Sequence, residues 1–219
     1  MFQVLVGIIS AFVGVSVHGA IARQYFERDS IDFPSYIANC LYILIGSSIL
    51  IGILLIIFSH PISTITEFPK EWLWSVLIAA ATNFIIIIVA TLWQVRVMPV
   101  HYGTFLLTLM ILNIGLSVWF VVVLDAGWRG RLLGQILAYI IFAIIGIIIL
   151  QQGGWLKWYY QKEYIRHALG FGLPLLLHDI GNWAIYMTDR ILIVNLVGLA
   201  DAGIYTVAAQ IGMVIFLIQ

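Results

Sequence analysis

Four polar side chains lie at helical spacing inside an otherwise apolar segment near the carboxyl end of the sequence. The first is Asp179, and Asn182, Tyr186 and Arg190 follow it by three, seven and eleven residues. At 100° per residue, these positions fall within a sector of about 80° on one face of a helix. Asp179 and Arg190 would lie about 16 Å apart, too far for a direct ion pair. Each therefore needs water, another helix or a ligand, which predicts that this polar stripe lines a cavity.

The segment that carries the stripe also contains residues that alter helix packing. Pro174 lacks an amide hydrogen and predicts a kink, and Gly172 gives the helix a place to bend or to be approached closely. In a membrane such breaks are tolerated where the backbone faces protein or a cavity. A hinge at Gly172 and Pro174 is one interpretation, and a simple packing kink is the other.

Structural interpretations of the remaining polar residues also stay open. Asp189 and Arg190 have the spacing of a local pair near a helix end, with the arginine reaching the headgroups. His178 and Asp179 have the chemistry of a structural hydrogen bond between helices.

The composition places these residues in a membrane protein. Of 219 residues, 63% are hydrophobic and 9% are charged, whereas about a quarter of the residues in a soluble domain are charged. Ten Lys and Arg balance ten Asp and Glu, which argues against a nucleic-acid partner or an acidic soluble substrate. The single Cys40 excludes an intrachain disulfide framework and a Cys-based metal cluster. We predict no metal and no cofactor.

Apolar runs of the roughly 20 residues needed to cross a bilayer recur along the whole chain. They predict seven transmembrane helices, at about 2–22, 36–58, 72–92, 102–124, 132–150, 170–198 and 202–219. Only the sixth contains charged residues. A charge at the centre of a membrane helix costs roughly 2.5–3.5 kcal/mol on insertion scales, so that helix needs an aqueous cavity or partners.

Lys and Arg in the connections predict the orientation. The links 23–35, 93–101 and 151–169 contain most of them, namely Arg23, Arg28, Arg96, Lys157, Lys162 and Arg166. The opposite side has only Lys70, Arg129 and Arg131. The first three links are therefore predicted to be cytoplasmic, which places the amino terminus outside. Because both ends of the sequence are apolar, we expect it to be an internal piece of a longer membrane protein.

The longest connection, Gln151 to Leu169, is rich in Trp, Tyr, Lys and Gln and predicts an interdomain linker. Its aromatic residues suit the headgroup region, and the stretch is expected to lie along the membrane surface as an amphipathic helix. Arg23 is either a topology determinant or a contact for a lipid phosphate at the cytoplasmic mouth. Asn113 is expected to form an interhelical hydrogen bond. No nucleotide-binding loop or common hydrolase motif is present.

Several ordered segments resemble the Wzx-type polysaccharide flippases of the multidrug/oligosaccharidyl-lipid/polysaccharide exporter superfamily. They are Gly127-Trp128-Arg129-Gly130-Arg131 with Gly134-Gln135, Phe171-Gly172-Leu173-Pro174-Leu175, Asp189-Arg190, Gly203-Ile204-Tyr205 and Ala208-Ala209-Gln210-Ile211-Gly212. The resemblance covers most of the chain and is densest from 127 to 212.

The resemblance implies an all-α membrane fold of twelve or more helices in two lobes around a central cavity. Residues 1–150 would form five helices of a partial amino-terminal lobe that lacks the first family helix. Residues 151–169 would be the cytoplasmic linker between lobes, and 170–219 would begin a truncated carboxyl-terminal lobe.

The resemblance further implies a transporter and not an enzyme. It would flip an oligosaccharide on undecaprenyl pyrophosphate across a bacterial inner membrane, for surface polysaccharide such as O-antigen or lipopolysaccharide. Its implied partners are the lipid-linked oligosaccharide, membrane lipids and a coupling proton or sodium ion, as in an antiporter.

In that setting, each polar residue of the sixth helix has an expected role. Arg190, with Arg23 second, would bind the anionic carrier, since Arg keeps its charge and offers paired donors. Asp179, with His178 and Asp189, would couple to the ion, and Asn182 and Tyr186 would contact sugar hydroxyls. The rival interpretations are a multidrug exporter of the same superfamily and, less favoured, a membrane-embedded polysaccharide polymerase.

Overall fold

The computed structural model describes residues 2–66 and 68–196. The helices, in chain order, are α1 (Phe2–Phe12), α2 (His18–Gln24), α3 (Phe33–Ile57), α4 (Ser59–Thr66), α5 (Leu73–Val95), α6 (Pro99–Val118), α7 (Gly127–Gln152) and α8 (Lys162–Leu196). Short 3-10 turns at Tyr25–Glu27 and Lys70–Trp72 and a π-helical turn at Trp119–Val123 extend α2, α5 and α6. No β-strand occurs in the described residues, and the all-α fold class is confirmed.

Four of the predicted spans are present as helices long and apolar enough to cross a membrane. They are Phe33–Ile57, Lys70–Val95, Pro99–Val123 and Gly127–Gln152, which correspond to predicted spans 36–58, 72–92, 102–124 and 132–150. Asp32 caps α3 by accepting a hydrogen bond from the Ser35 backbone amide at 3.4 Å, and a proline stands in the first turn of both α3 and α6. The predicted span 202–219 lies outside the described residues.

The first predicted span, 2–22, is wrong as a continuous helix. Gly14, Val15 and Ser16 adopt positive φ angles of 78°, 51° and 51°, and this left-handed turn separates α1 from α2. The Gly14 amide donates to Ser47 Oγ on α3 at 2.8 Å instead of continuing the helix. A positive φ is unfavourable for a β-branched valine, so tertiary contacts, and not local preference, hold this turn.

The connection between α7 and α8 also differs from its prediction. Residues 155–161 have no regular secondary structure and form no amphipathic helix, and α8 begins at Lys162, eight residues before the predicted span 170–198. The fully buried Asn39 explains why this segment is not helical. Its Nδ2 donates to the Tyr159 carbonyl at 2.8 Å, and its Oδ1 accepts from the Gln161 amide at 3.0 Å. These bonds satisfy backbone groups that a helix would have paired internally.

The three links predicted to be cytoplasmic meet at one end of the helices, called here the Lys/Arg-rich end. Lys157 Nζ lies 3.0 Å from Asp32 Oδ2, and the Arg96 guanidinium lies 4.9 Å from the centre of the Trp155 ring. Their predicted placement on a common side is therefore confirmed. A second cluster, Trp72 with Trp74 and Trp128, has ring centres 6.0 and 5.7 Å apart and defines the Trp-rich end.

The chain's internal contacts divide it into two compact units after Leu177. In the first unit, α1, α2, α3, α5 and α7 share a buried apolar core that includes Ile9, Val17, Ile21, Ile37, Val76, Ile88 and Phe142. Helix α6 packs on α7 but leaves Leu107 and Ile111 60% and 70% exposed, as expected for a face toward lipid. The second unit begins at His178, within α8.

Candidate functional site

An open cavity of about 650 Å³ lies at the Lys/Arg-rich end, between the end of α2 and the first turns of α8. Its lining residues are Arg23, Glu163, Arg166, His167, Gly170 and Phe171. We call it the basic cavity. The five α8 residues recur at three- and four-residue spacing, which places them on one face of the helix.

Two glycines let α8 approach the interrupted first span closely. A Cβ at Gly172 would collide with the Val15 carbonyl oxygen and lie 2.9 Å from Val17 Cγ1. A Cβ at Gly19 would lie 3.2 Å from the Phe171 ring. The left-handed turn and these glycines therefore bring α2 beside α8, and so form one wall of the basic cavity.

Arg23 lies in the basic cavity, as its predicted contact with a lipid phosphate requires. Its guanidinium carbon lies 5.9 Å from the centre of the Phe171 ring, and the side chain is exposed. The neutral Phe171 ring orients the cation but does not neutralise its charge. The guanidinium can therefore meet an incoming anion.

His167 is held by a buried tyrosine of α3. Tyr36, 1% exposed, has its hydroxyl 3.0 Å from His167 Nδ1. This hydrogen bond and the edge contact between the two rings position the imidazole at the cavity wall. His167 and Glu163 were not predicted as site residues, and Arg166 was predicted only as a topology residue, because the helix was expected to begin at Gly170. Their helical spacing with Gly170 is the signal that would have found them.

The charges of the basic cavity favour an anion. Two arginines against one glutamate leave one net positive charge in the lining. Arginine binds phosphate through two parallel donors and stays charged at every relevant pH. The cavity thus has the chemistry of a phosphate-binding site at a membrane surface.

The polar stripe of the sixth predicted span belongs to the part of α8 that follows Leu177 in the sequence. Asn182 Nδ2 lies 3.0 Å from His178 Nε2, one helical turn away, and both side chains are exposed. Asp179 is partly buried. The structure thus pairs His178 with Asn182 within one helix. Tyr186, Asp189 and Arg190 also fall on α8, but their side chains lie outside the described residues.

Pro174 stands inside α8, which continues through it to Leu196. The neighbouring Gly172 serves close packing against Val15 and Val17. The hinge assigned to these two residues stays a prediction.

The glycine- and arginine-rich segment at the start of α7 is a packing motif. A Cβ at Gly134 would lie 2.6 Å from the Ser117 amide nitrogen of α6, so the two backbones touch. Arg131 Nη1 donates to Asn113 Oδ1 at 2.7 Å and to Ser117 Oγ at 2.6 Å. The interhelical bond predicted for Asn113 is confirmed. Gln135 accepts from Gln3 Nε2 at 2.7 Å, which ties α7 to α1.

In the part of the chain that the structure describes, no group of three or more His, Cys, Asp or Glu side chains is placed to hold a metal ion. The basic cavity therefore has to be interpreted from its arginines, its histidine and its single carboxylate.

Comparison with known proteins gives this cavity its context. Residues 1–218 match the family described as "Polysaccharide biosynthesis protein". The chain belongs to this family. Together with the four helices that are long and apolar enough to cross a bilayer, this membership supports a multi-pass membrane protein of polysaccharide biosynthesis.

Among solved structures, the fold is similar to that of the Vibrio cholerae MATE transporter VcmN in its bent form, with a TM-score of 0.69 and 16% sequence identity. The match covers 95% of this chain and 50% of that transporter, so this chain spans about half of the transporter's length. No curated protein sequence matches the chain. At this identity the likeness establishes the fold alone.

Proposed function

We propose that this chain forms part of a flippase that moves a lipid-linked oligosaccharide, on undecaprenyl pyrophosphate, from the cytoplasmic to the outer leaflet. Family membership and the exporter fold support a transporter in polysaccharide biosynthesis. In this proposal the lobes alternate their access to the two sides of a bacterial inner membrane. Residues 1–150 belong to the first lobe, 151–169 link the lobes, and 170–219 begin the second.

The basic cavity is the observation that carries the proposal. A pyrophosphate entering a low-dielectric region needs cationic partners because an unpaired charge is costly there. Arg23 and Arg166 supply such partners at the Lys/Arg-rich end, which the positive-inside rule assigns to the cytoplasm. His167 adds a donor that Tyr36 holds in place. The cavity would receive the carrier headgroup before transport.

The polar stripe on α8 provides the later contacts in this proposal. Arg190 passes the anion onward, and Asn182 and Tyr186 bind sugar hydroxyls. Asp179, with His178 and Asp189, couples transport to a proton or sodium ion, and Gly172 with Pro174 bends the helix. Transport by an Asp179→Asn variant with an unaltered dependence on the ion gradient would remove the coupling role.

The test measures flipping of labelled lipid-linked oligosaccharide by the protein of the full reading frame in proteoliposomes. We expect the double change Arg23→Gln and Arg166→Gln to lower the initial rate at least about tenfold, because hydrogen bonds to a charged group are worth about 1.5–3 kcal/mol. Thermal stability should stay the same, since both side chains are exposed.

Arg28→Gln is the matched control. Arg28 lies at the same end, 4.4 Å from the centre of the Tyr25 ring, and does not line the basic cavity. The Arg28→Gln variant should flip the lipid-linked oligosaccharide at the wild-type rate. Wild-type flipping by the folded double variant, or an equal loss in the control, would show that the cavity does not bind the substrate.

A multidrug exporter is the second candidate, because VcmN is named a MATE transporter. Cationic drugs favour a cavity dominated by carboxylates, whereas the basic cavity holds two arginines and one glutamate. Drug-stimulated ion flux in the same proteoliposomes, without flipping, would favour this candidate. A polymerase is less favoured, since the link at the Trp-rich end between α3 and α5 is short and mostly helical.

A further inference from the structure

Two cavities meet at the Trp-rich end, and neither belongs to the proposed transport path. The first, of about 460 Å³, lies between α3 and α5, and the second, of about 280 Å³, lies beside α4. Lys70 and Glu71 line both. A single elongated ligand can therefore enter both cavities by passing these two charged residues.

The larger cavity is an apolar groove. Apart from Ser59 and the two shared charges, its lining consists of Gly52, Leu55, Ile56, Leu73, Trp74 and Leu77. Leu55 and Leu73 form its buried floor at 8% and 3% exposure, while Ile56 is 76% exposed at its edge. A groove of this kind on the surface of membrane helices suits a hydrocarbon chain.

The smaller cavity is a polar cup lined by His60, Ser63, Thr64 and Pro69 with the shared pair. Ser63 Oγ donates to the Phe68 carbonyl at 2.8 Å, and Thr64 Oγ1 donates to the His60 carbonyl at 3.0 Å. Because each hydroxyl has only one hydrogen, both oxygens now offer lone pairs alone. With the Glu71 carboxylate, these two oxygens are acceptors suited to an N–H donor, while the Lys70 ammonium in the same lining suits a phosphate oxygen.

The shared charges define the headgroup that fits. Lys70 and Glu71 are exposed and adjacent on a 3-10 turn, and no ion pair joins them to any residue of the described chain. The next residue, Trp72, stacks on Trp74. Tryptophans of this kind mark the membrane interface, which places Lys70 and Glu71 at the depth of lipid headgroups.

We propose that the Trp-rich end holds one phospholipid with an ethanolamine headgroup. An acyl chain fills the apolar groove, the phosphate meets Lys70, and the primary ammonium meets Glu71 and the hydroxyl oxygens of the cup. The balanced Lys and Glu pair disfavours an anionic headgroup. A choline headgroup has no N–H to donate to the acceptors of the cup, so it binds more weakly.

The experiment uses the protein of the full reading frame, exchanged into mixed micelles with equal amounts of phosphatidylethanolamine, phosphatidylcholine and phosphatidylglycerol. Native mass spectrometry then counts the lipids retained. We expect the ethanolamine lipid to be retained at least about fivefold over the other two. Glu71→Gln and Lys70→Gln should each abolish the preference, and Lys70→Arg should keep it because it preserves the cation.

Asp29→Asn is the control, an exposed carboxylate changed at the Lys/Arg-rich end, and it should leave the preference intact. Equal retention of the three lipids by the wild type would overturn the proposal. So would a preference for phosphatidylglycerol, displacement of the ethanolamine lipid by lipid-linked oligosaccharide, or a preference that survives in folded Glu71→Gln protein. Flipping activity is measured separately, so either proposal can fail alone.

Discussion

Arg23 at the Lys/Arg-rich end and Arg131 at the Trp-rich end have different surroundings. Arg23 rests on the Phe171 ring and faces the basic cavity. Arg131 donates hydrogen bonds through Nη1 to Asn113 and Ser117 on the neighbouring helix. A guanidinium stabilises the fold where protein acceptors meet it, and it is available to a ligand where only an aromatic face supports it. The acceptors around an arginine, more than the residue type, indicate its role.

The two ends also differ in what holds the backbone in place. At the Trp-rich end, α6 and α7 touch through Gly130 and Gly134. At the Lys/Arg-rich end, Asn39 donates to the Tyr159 carbonyl and Asp32 accepts from Lys157, and these bonds hold the irregular segment 155–161. Close backbone packing resists any added atom, whereas polar bonds at the membrane surface compete with water. We therefore expect the largest stability effects at the Trp-rich end.

The strongest test of this difference is a pair of glycine substitutions. Gly134→Ala places a Cβ 2.6 Å from the Ser117 amide nitrogen, and we expect it to lower the free energy of unfolding by about 1–3 kcal/mol through overpacking. Gly115→Ala on α6 meets no atom within 4 Å and should be neutral or stabilising, since alanine favours a helix. Thermal unfolding in detergent measures both. Equal Tm values for the two variants would contradict the close contact.

A smaller effect distinguishes the two arginines. Arg131→Gln should lower the free energy of unfolding by about 1 kcal/mol, because it removes charged hydrogen bonds to Asn113 and Ser117 from a partly exposed site. Arg23→Gln should leave Tm unchanged and reduce flipping. Tm and the flipping rate per folded molecule are measured on both variants. A drop in Tm for Arg23→Gln would remove the distinction.

The smallest effect comes from the ion pair at the Lys/Arg-rich end. Partial burial raises the pKa of Asp32, but hydrogen bonds from Lys157 and Ser35, with the lysine charge, more than offset it and leave that pKa below its usual value of 3.8. A lowered folded-state pKa adds stability that is present above pH 3.8 and is lost as the pH falls through the folded value. Because Lys157 is 65% exposed, the gain is under about 1 kcal/mol.

Asp32→Asn keeps a side-chain cap for α3 but removes the charge. The wild type should therefore have a slightly higher Tm than this variant at pH 7, and the difference should disappear below the lowered pKa. Thermal unfolding between pH 7 and pH 3 measures it. A difference that persists at the acidic end would show that the effect comes from the hydrogen bonds and not from the charge.

The long apolar helices and their common ends are predictable from the sequence, and the lining of the basic cavity only in part. Spans such as 72–92 are free of charges and predominantly apolar, and a bilayer needs a fixed length of such helix, so composition alone predicts them. The break at Gly14–Ser16 was missed because its residues are small or apolar and carry no charge, as in a continuous membrane helix. Ser47 and Phe84, distant in sequence, hold it in place. Arg23 lines the basic cavity, while its contact with a phosphate stays a prediction, and His167 was missed because it was assigned to a linker.

The sequence by itself determined that this protein lies in a membrane, which segments can cross it, and which links share a side. Those properties depend on hydrophobicity and charge summed along short stretches, and they hold whatever the neighbours are. Only the tertiary structure decided that Arg23 meets Arg166 and His167 in one cavity while Arg131 is bound to α6. Those outcomes depend on contacts between residues far apart in sequence, which glycines such as Gly134 and Gly172 permit by letting a helix approach a neighbouring backbone closely.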